Sequence, residues 1–319
     1  MVATACPFLR RALLYVPASS TRMLYKSLSL SCDTVIYDLE DSVTHYAKID
    51  ARDALNQHLS QLTERPASIS EIAIRVNNAR SPYLEKDLRL AASIPLVDTV
   101  VVPKVNTIGD LRTVSHFLKN YENKYYKEIR TKPVRVIALI ESARAVMNLS
   151  NICQGPRLNG VIFAAEDFAL DLSLTRTPDM TEFLYARSAI VTAARVENVP
   201  SVIDLACTLY KGGDELAQLE EECRGGKALG FNGKQCIHPS QVKTVQRLFS
   251  PTEKEVEWAV RVNIASKKAT AAKIGAWTLD NKMIDAPVSA RAAEIVKKAG
   301  ECGIDVDGLR EKWKDEEPQ

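Results

Sequence analysis

Short runs of apolar and β-branched residues recur along the chain, and longer segments with the composition of helices separate them. Within each run the apolar residues are nearly continuous rather than alternating with polar ones. That pattern is typical of parallel strands covered on both faces. One strand and one helix together take up roughly 30 residues, the usual size of a βα unit. The eight runs are RALLYVP (11–17), DTVIYDLED (33–41), IAIRVN (72–77), DTVVVPKV (98–105), VRVIALIES (134–142), GVIFAAEDF (160–168), PSVIDLA (200–206) and KQCIHP (234–239).

A succession of eight strand–helix units predicts an α/β fold of the (β/α)8 TIM-barrel type. The alternative is a doubly wound open sheet, which usually carries a glycine-rich turn after its first strand. The corresponding segment, YVPASSTR (15–22), contains no such turn. We therefore expect residues 10–245 to form the barrel and residues 246–319 to form a C-terminal helical extension or lid, which could also contact other subunits. In this extension a loop, IGAWTLDNKMIDAP (274–287), separates two helices, and the polar end, LREKWKDEEPQ (309–319), is expected to fray.

The composition argues against several classes of protein. Lysine and arginine total 42 and aspartate and glutamate 40, so the chain lacks the dominant basic character of a nucleic-acid-binding protein. No run approaches the roughly 18 apolar residues that a membrane span needs. The seven cysteines form no C-x-x-C pair, which favours reduced thiols in a cytosol-like compartment. With no clear targeting signal, we expect the cytoplasm or the mitochondrial matrix.

Charged residues follow several of the predicted strands. In a barrel the carboxyl ends of all strands meet at one opening, where catalytic groups lie. Glu141 and Asp167 follow neighbouring strands, so their carboxylates are expected side by side. Either acid alone could cap a helix or pair with a surface arginine, but two acids with Arg75 facing them favour a site for a hard cation, most naturally Mg2+. The other charged residues at strand ends are Asp38, Glu40, Asp41, Lys104 and His238.

Several short motifs give the chain a resemblance to a known family. They occur in the family's order between residues 10 and 290, and the ordered set is far more specific than any single motif. The chain resembles the citrate lyase β-subunit-like family, which includes malyl-CoA and citramalyl-CoA lyases and belongs to the HpcH/HpaI aldolase superfamily. The motifs are LLYVPAS (13–19), YDLEDSV (37–43), IRVN (74–77), VVPKV (101–105), IESARAV (140–146), AAEDF (164–168) and GKQCIHP (233–239).

The resemblance implies a Mg2+-dependent (β/α)8 carbon–carbon lyase that acts on acyl-CoA thioesters, usually as a homotrimer. It implies that Glu141 and Asp167 hold the metal and that Arg75 binds the substrate. The segment DNKMIDAP (280–287) resembles the family's C-terminal loop, whose Asp285 would supply the catalytic carboxylate, often to a neighbouring subunit's site. The residues that match CoA- or substrate-contacting positions are Tyr15, Arg22, Lys26, Lys48, Arg52, Ile237 and His238.

Basic residues near the first two strands suit the phosphates of CoA, because guanidinium and ammonium groups pair well with phosphate oxygens. The alternative for any one of them is an ordinary solvated helix face. The sequence also departs from the family: Ala164 and Ala165 stand where glycine is common, which would tighten the pocket, and Arg22 stands where relatives often have lysine. The basic residues of this group are Arg10, Arg11, Arg22, Lys26, Lys48 and Arg52.

A retro-Claisen cleavage fits these side chains. A 3-hydroxyacyl-CoA with an adjacent carboxylate could chelate Mg2+, which would lower the pKa of its hydroxyl group. Arg75 and the ion would stabilise the departing thioester enolate, and Asp285 would protonate its carbon. The products would be acetyl-CoA and a 2-keto acid, either pyruvate or glyoxylate, and the same groups could run the condensation. Taken alone, Asp285 could instead be a turn residue before Pro287.

Two other functions stay open. One is a Mg2+-dependent aldolase on the same barrel that acts on free 2-keto acids, although the basic residues near the first strands favour a CoA thioester. The other is a citrate lyase β-type subunit that needs partner proteins for turnover, although the presence of Asp285 favours a stand-alone enzyme. The sequence does not distinguish malyl-, citramalyl-, methylmalyl- and citryl-CoA, which differ by as little as one methyl or carboxymethyl group.

Overall fold

Parallel strands closed into a barrel form the centre of the protein. The computed structural model describes residues 8–124, 128 and 132–319, and within them eight strands pair in sequence order while the last pairs with the first. The predicted (β/α)8 fold is confirmed. Most strand residues are aliphatic or β-branched and buried, which suits a sheet covered on both faces. The strands are β1 (Ala12–Pro17), β2 (Cys32–Asp38), β3 (Ile69–Arg75), β4 (Thr99–Val102), β5 (Arg135–Ile140), β6 (Leu158–Phe163), β7 (Val202–Asp204) and β8 (Gly233–Cys236).

Helices follow every strand of the barrel. Serine side chains begin two of them: Ser20 accepts a hydrogen bond from the backbone N–H of Met23, and Ser142 accepts one from that of Ala145. Among the described residues, no helix combines the length and apolar character needed to cross a membrane. The helices are α1 (Thr21–Ser27), α2 (Lys48–Ser60), α3 (Leu84–Ser93), α4 (Ile108–Lys124), α5 (Ala143–Met147), α6 (Leu149–Cys153), α7 (Ala165–Leu172), α8 (Leu184–Val196), α9 (Glu215–Leu229) and α10 (Pro239–Phe249).

The chain divides into two compact units, Met1–Phe249 and Ser250–Gln319. The division falls slightly later than the predicted boundary at residue 245, because helix α10 is the eighth helix of the barrel. It packs against β1, β8 and α9 and so covers the strands where the barrel closes.

Apolar side chains fill the first unit in two layers. One layer lies between the strands and the helices, and the other lies inside the barrel. Successive residues of a strand point to opposite faces, so every second residue contributes to the inner layer. Tyr15 and Ala164 pack against this layer. The inner layer consists of Leu13, Ile36, Ala73, Val101, Ile137, Leu139, Ile162 and Ile203.

A buried ion pair closes the amino end of the barrel. Arg10 donates from Nε and Nη2 to the two carboxylate oxygens of Glu71, at 2.8 and 2.6 Å, and also bonds Ser201 Oγ at 3.1 Å. Arg11 pairs with Asp33 at 2.8 Å. The prediction that Arg10 and Arg11 bind CoA phosphates is therefore wrong. Both residues precede β1, at the end opposite the strand carboxyl termini, and both are neutralised by acids.

The Arg10–Glu71 pair should be essential for stability. Replacing Glu71 by glutamine removes one of two buried charges, and we expect a loss of about 3–5 kcal/mol in the free energy of unfolding, because Arg10 is left uncompensated. Urea denaturation measures the loss. The matched control is Asp307→Asn, which breaks an exposed pair with Arg310 and should leave the unfolding midpoint unchanged. Equal midpoints for the two variants would contradict the role of the buried pair.

Residues 250–319, all of which the structure describes, form three helices and an antiparallel hairpin. A capping box between Thr252 and Glu255 begins the first helix. The hairpin occupies the segment that was predicted to be a loop, so that prediction is wrong. Its turn is made by Asp280 and Asn281, whose φ angles of 49° and 61° are tolerated by these two residue types. The elements are α11 (Glu253–Ala271), β9 (Trp277–Leu279), β10 (Lys282–Ile284), α12 (Ala286–Glu301) and α13 (Val306–Lys312).

Candidate metal and substrate site

The carboxyl ends of the barrel strands, which we call the mouth, bring two predicted acids together. Glu141 directly follows β5, and Asp167 lies in the first turn of α7, which follows the neighbouring β6. Glu141 is 4% exposed, and its Oε1 accepts the backbone N–H of Lys104 at 2.6 Å. Burial, together with a hydrogen bond to the carboxyl group of Asp167, raises the pKa of Glu141 to about 9. The two carboxyl groups are therefore in direct contact.

This carboxyl pair fits a divalent cation. Two carboxylates held together away from water repel each other, and without a metal they stay close only by sharing a proton. A cation bound by Glu141 and Asp167 would replace that proton and compensate both charges. Among the described residues, no three or more histidine, cysteine, aspartate or glutamate side chains cluster around one potential metal position. Two carboxylates, with further positions left for water and substrate, match the usual manner of Mg2+ binding.

Arg75 stands at the end of β3 and is held by Asp38 of the neighbouring β2. Its Nε and Nη2 each donate to one oxygen of the Asp38 carboxylate at 2.7 Å. Burial opposes the positive charge of Arg75, but its hydrogen bonds to the Asp38 carboxylate outweigh burial and raise the pKa of the guanidinium. The remaining Nη1 lies 3.3 Å from Glu40 and 3.4 Å from Asp41. Arg75 is thus a fixed cation with one nitrogen turned toward the other mouth residues.

Lys104 connects the acid at the end of β2 with the acid at the end of β5. Its Nζ donates to Glu40 Oε1 at 2.7 Å, while its backbone N–H is the donor to Glu141. This double contact uses a left-handed backbone conformation with a φ of 53°, which is uncommon for lysine. Burial and the neighbouring Asp41 raise the pKa of Glu40 to about 7, although Arg75 and Lys104 act against the rise. The charged residues of the mouth therefore form one connected network.

Tyr15 and Gln235 complete this network on the side of β1 and β8. The guanidinium carbon of Arg75 lies 5.0 Å from the centre of the Tyr15 ring, and the phenol donates to Gln235 Oε1 at 2.9 Å. Burial raises the pKa of Tyr15, so the ring stays neutral. Sequence reasoning missed Gln235, which is anchored on the carbonyl oxygen of Phe163 at 2.9 Å. The sequence feature that could have identified Gln235 is a polar residue at an inward-facing position of β8.

Two of the predicted CoA-binding residues have internal partners. Lys48 is 8% exposed, and its Nζ donates to the carbonyl oxygens of Leu39 and Glu40 at 2.8 and 2.7 Å. Arg52 is buried as well and pairs with Asp87 at 2.8 Å. Their assignment to CoA phosphates needs correction, because both cations lie beneath the surface: Lys48 holds the loop after β2, and Arg52 is paired with Asp87 of α3. One face of helix α2 is buried where the sequence suggested a solvated face.

The other predicted contact residues lie at the surface near the mouth. Arg22 and Lys26 are exposed on α1, directly after β1. Ile237 is 43% exposed and His238 follows it, between β8 and α10. The ring of His238 stacks on Tyr210 with a centroid distance of 5.2 Å, and its Nδ1 is 2.7 Å from Ser240 Oγ.

Asp285 lies in the second unit, between β10 and α12. It is half-buried and is the N-cap of α12, where its Oδ1 accepts the backbone N–H of Val288 at 3.1 Å. Pro287 occupies the first turn of the helix, where a missing N–H does no harm. The structure thus makes Asp285 a helix N-cap, whereas the sequence offered a turn residue before Pro287 as the alternative to catalysis.

The barrel and its mouth define a class of protein: α/β-barrel enzymes that combine a carboxylate pair for a cation with a fixed arginine beside it. The model of the HpcH/HpaI aldolase/citrate lyase family matches residues 11–239. The chain belongs to this family and is a carbon–carbon lyase, so both sequence predictions are confirmed.

Curated relatives and solved structures agree with the family assignment. The human mitochondrial citramalyl-CoA lyase is 31% identical over 300 residues, which cover 91% of this chain and 85% of the relative. A citrate lyase subunit beta-like protein of Deinococcus radiodurans is 32% identical, with 92% and 98% covered. The crystal structure of CitE from Mycobacterium tuberculosis in complex with magnesium, acetoacetate and coenzyme A has a TM-score of 0.71 at 26% identity, and covers 92% of this chain and 98% of that one.

Proposed function

We propose that the protein is a Mg2+-dependent lyase that cleaves a 3-hydroxyacyl-CoA thioester of the citramalyl-CoA or malyl-CoA type. The products are acetyl-CoA and pyruvate or glyoxylate, and the same site supports the reverse condensation. The observation that carries this proposal is the contact between the Glu141 and Asp167 carboxyl groups beside the fixed cation Arg75. The relative named citramalyl-CoA lyase and the CitE complex with magnesium and coenzyme A support it.

The groups at the mouth have distinct roles in this reaction. Glu141 and Asp167 would hold the metal, which when bound supplies Lewis acidity toward the hydroxyl and carboxylate oxygens of the substrate. Arg75 is held charged by Asp38, so its Nη1 can stabilise negative charge on the thioester oxygen. Lys104 fixes the Glu141 carboxylate through its backbone N–H. These contacts exist before substrate binds, so little reorganisation accompanies the reaction.

The proposed cleavage requires two proton movements. The 3-hydroxyl group gives its proton to solvent water at the mouth, its oxygen becomes the keto oxygen of the 2-keto acid, and the bond between C2 and C3 breaks. The bonding electrons pass to the thioester, which becomes an enolate. Asp285, from the same chain or from a neighbouring copy, then protonates C2 and yields acetyl-CoA. In the condensing direction the Asp285 carboxylate removes that proton.

Binding of CoA and assembly belong to the same proposal. Arg22 and Lys26 are exposed on α1 and suit the phosphates of the CoA moiety, and Ile237 and His238 follow β8, the strand that pairs with β1. We propose a homotrimer in which residues 250–319 contact other subunits. The six described cysteines are free thiols, which supports a reducing compartment such as the cytoplasm or the mitochondrial matrix.

A second function, that of a citrate lyase β-type subunit, is favoured by the similarity to citrate lyase subunits. The citrate lyase subunit beta of Escherichia coli is 32% identical over 296 residues, as similar as the citramalyl-CoA lyases. In that case the chain would turn over a substrate only together with partner proteins. An aldolase that acts on free 2-keto acids is the third possibility, and it would show no requirement for a thioester.

One experiment separates these functions. The purified chain alone is incubated with Mg2+ and, in turn, with malyl-, citramalyl-, methylmalyl- and citryl-CoA, and the release of glyoxylate, pyruvate or oxaloacetate is measured. We expect release from malyl-CoA or citramalyl-CoA and none after addition of EDTA. The free acids malate and citramalate are the matched substrates without CoA. Absence of turnover with every thioester, or equal turnover of the free acids, would overturn the proposal.

A further inference from the structure

We propose that Arg261 and residues 313–319, which we call the C-terminal strap, position Asp285 by fixing the β9–β10 hairpin that precedes it. The proposal rests on the catalytic role proposed for Asp285. The strap belongs to the polar end that the sequence predicted to fray, and the structure shows it bonded along its length instead.

The end of the strap bonds to the edge of the hairpin. The backbone N–H of Thr278 donates to the carbonyl oxygen of Gln319 at 2.7 Å, and the N–H of Gln319 donates back to Thr278 at 3.1 Å. Thr278 lies in β9 opposite Met283 of β10. Residues that exchange two hydrogen bonds in this way are paired as in an antiparallel sheet, so Gln319 extends the two-stranded hairpin on its free edge.

Arg261 joins the hairpin turn to the strap. Its Nη1 and Nη2 donate to the two oxygens of Asp280 in the turn, at 2.7 and 3.0 Å. Its Nε and Nη2 donate to the two oxygens of Glu316 in the strap, at 2.7 and 3.2 Å. The ring of Trp313 lies 4.7 Å from the guanidinium carbon. This arrangement uses the planar fork of arginine, which a lysine cannot reproduce.

Further bonds hold the strap along one face of helix α11. Trp313 Nε1 donates to Glu257 at 2.9 Å, and Lys268 pairs with Glu317 at 2.6 Å. Residues 257, 261 and 268 are spaced by four and seven positions, so they lie on the same side of the helix. The strap is therefore anchored at three successive points before it reaches the hairpin.

The hairpin packs Trp277, Leu279 and Ile284 into the core of residues 250–319, and the strap holds the edge of β9. Each of its strands has three residues, and an isolated two-stranded hairpin is at best marginally stable in water. Ile284 pairs with Trp277 at the base of the hairpin, and Asp285 is the next residue. The position of the Asp285 backbone is thus set by the hairpin, and its carboxylate by the cap of α12. A small displacement of a reacting group can cost on the order of 100-fold in rate.

The test compares two substitutions and one shortened chain with the full-length wild type. Asp285→Asn is measured in parallel to test the catalytic role itself. Arg261→Lys keeps the charge but loses the fork, and a chain that ends at Lys312 loses the strap. Arg310→Lys is the matched control, because Arg310 is exposed and pairs with Asp307 on its own helix. We measure kcat and KM for the thioester and the hydrogen exchange of residues 277–288. We expect Arg261→Lys and the shortened chain to lose about 10- to 100-fold in kcat with little change in KM.

Hydrogen exchange of residues 277–288 should become faster in the same two variants and stay unchanged in Arg310→Lys. A variant that lowers the melting temperature but keeps kcat and slow exchange would show a purely structural role and overturn the proposal. If the shortened chain fails to fold, kcat and hydrogen exchange of Arg261→Lys alone test the positioning role. Wild-type turnover by Asp285→Asn would overturn the catalytic role of Asp285 and this proposal with it. Loss of turnover in Asp285→Asn with an unaffected Arg261→Lys would overturn the positioning role alone.

Discussion

Replacing Asp285 by asparagine should lower thioester turnover by about 100-fold or more, the scale typical of a removed general acid or base. Asparagine is as good an N-cap as aspartate, so helix α12 should keep its first turn and the protein its fold. The substitution removes the proton that the enolate carbon needs. Steady-state release of pyruvate or glyoxylate measures the effect, and CoA binding and oligomer formation should be retained.

The chain offers a matched control for this experiment. Asp305 is the N-cap of α13 and accepts the backbone N–H of Gly308 at 2.9 Å, much as Asp285 accepts that of Val288 at 3.1 Å. Asp305→Asn should therefore keep wild-type turnover. Undiminished turnover by Asp285→Asn would refute the catalytic role, and an equal loss in both variants would point to helix capping instead.

Mixed oligomers test whether Asp285 acts in a neighbouring subunit. Asp285→Asn and Glu141→Gln each disable a different part of the proposed site. If the carboxylate crosses between subunits, exchange of subunits between the two inactive proteins should restore part of the activity. No recovery in verified mixed oligomers would restrict Asp285 to the site of its own chain.

Glu141→Gln or Asp167→Asn should reduce Mg2+-dependent turnover by roughly 1,000-fold or more, since a catalytic metal contributes several kcal/mol of charge stabilisation. Each change removes one of two carboxylates that are in contact at the mouth. Turnover is measured across a Mg2+ titration, and calorimetric titration of the metal gives a readout that is independent of activity. Wild-type activity at any Mg2+ concentration would show that the ligand assignment is wrong.

Stability and a neighbouring acid provide the controls for the metal site. Without metal, Glu141→Gln relieves repulsion between the buried carboxyl group of Glu141 and the half-buried one of Asp167, so its melting temperature in EDTA should be no lower than that of the wild type. Asp171→Asn is the matched variant, because Asp171 lies on the same helix, is exposed, and accepts the backbone N–H of Ala143. It should retain both metal affinity and turnover.

The sequence predicted the barrel well because its strands consist of nearly continuous apolar runs, and such strands must be covered on both faces. It also predicted which charged residues gather at the mouth. These residues end a strand or follow one within two positions: Asp38, Arg75, Lys104 and Glu141. The topology of a barrel brings such positions together independently of the side-chain contacts.

The sequence predicted the environment of the basic residues less well. Lys48 and Arg52 carry charges, and charge in a helix usually indicates solvent. Their burial depends on the carbonyl groups of Leu39 and Glu40 and on Asp87, partners that lie 8 to 35 positions away in the chain. Such long-range compensation cannot be read from local pattern.

The hairpin at 277–284 shows a different limit. Its strands have only three residues each, too few for a clear alternating pattern, and Arg261 and the strap add to the burial of Trp277, Leu279 and Ile284. The turn residues Asp280 and Asn281 were the available local signal, because both tolerate the left-handed conformation that tight hairpins use.

The inner layer of apolar side chains fills the barrel below the mouth and the Arg10–Glu71 pair closes its amino end, so the described part of the barrel is a packed core with its site at one opening. Substrate, both products and water must all pass through the same opening. A cover over that single opening is then enough to keep bulk water away from an enolate. For the proposed reaction, a thioester product lying in the opening would obstruct the exit of the keto acid beneath it, and departure of the CoA product would be the event that empties the site.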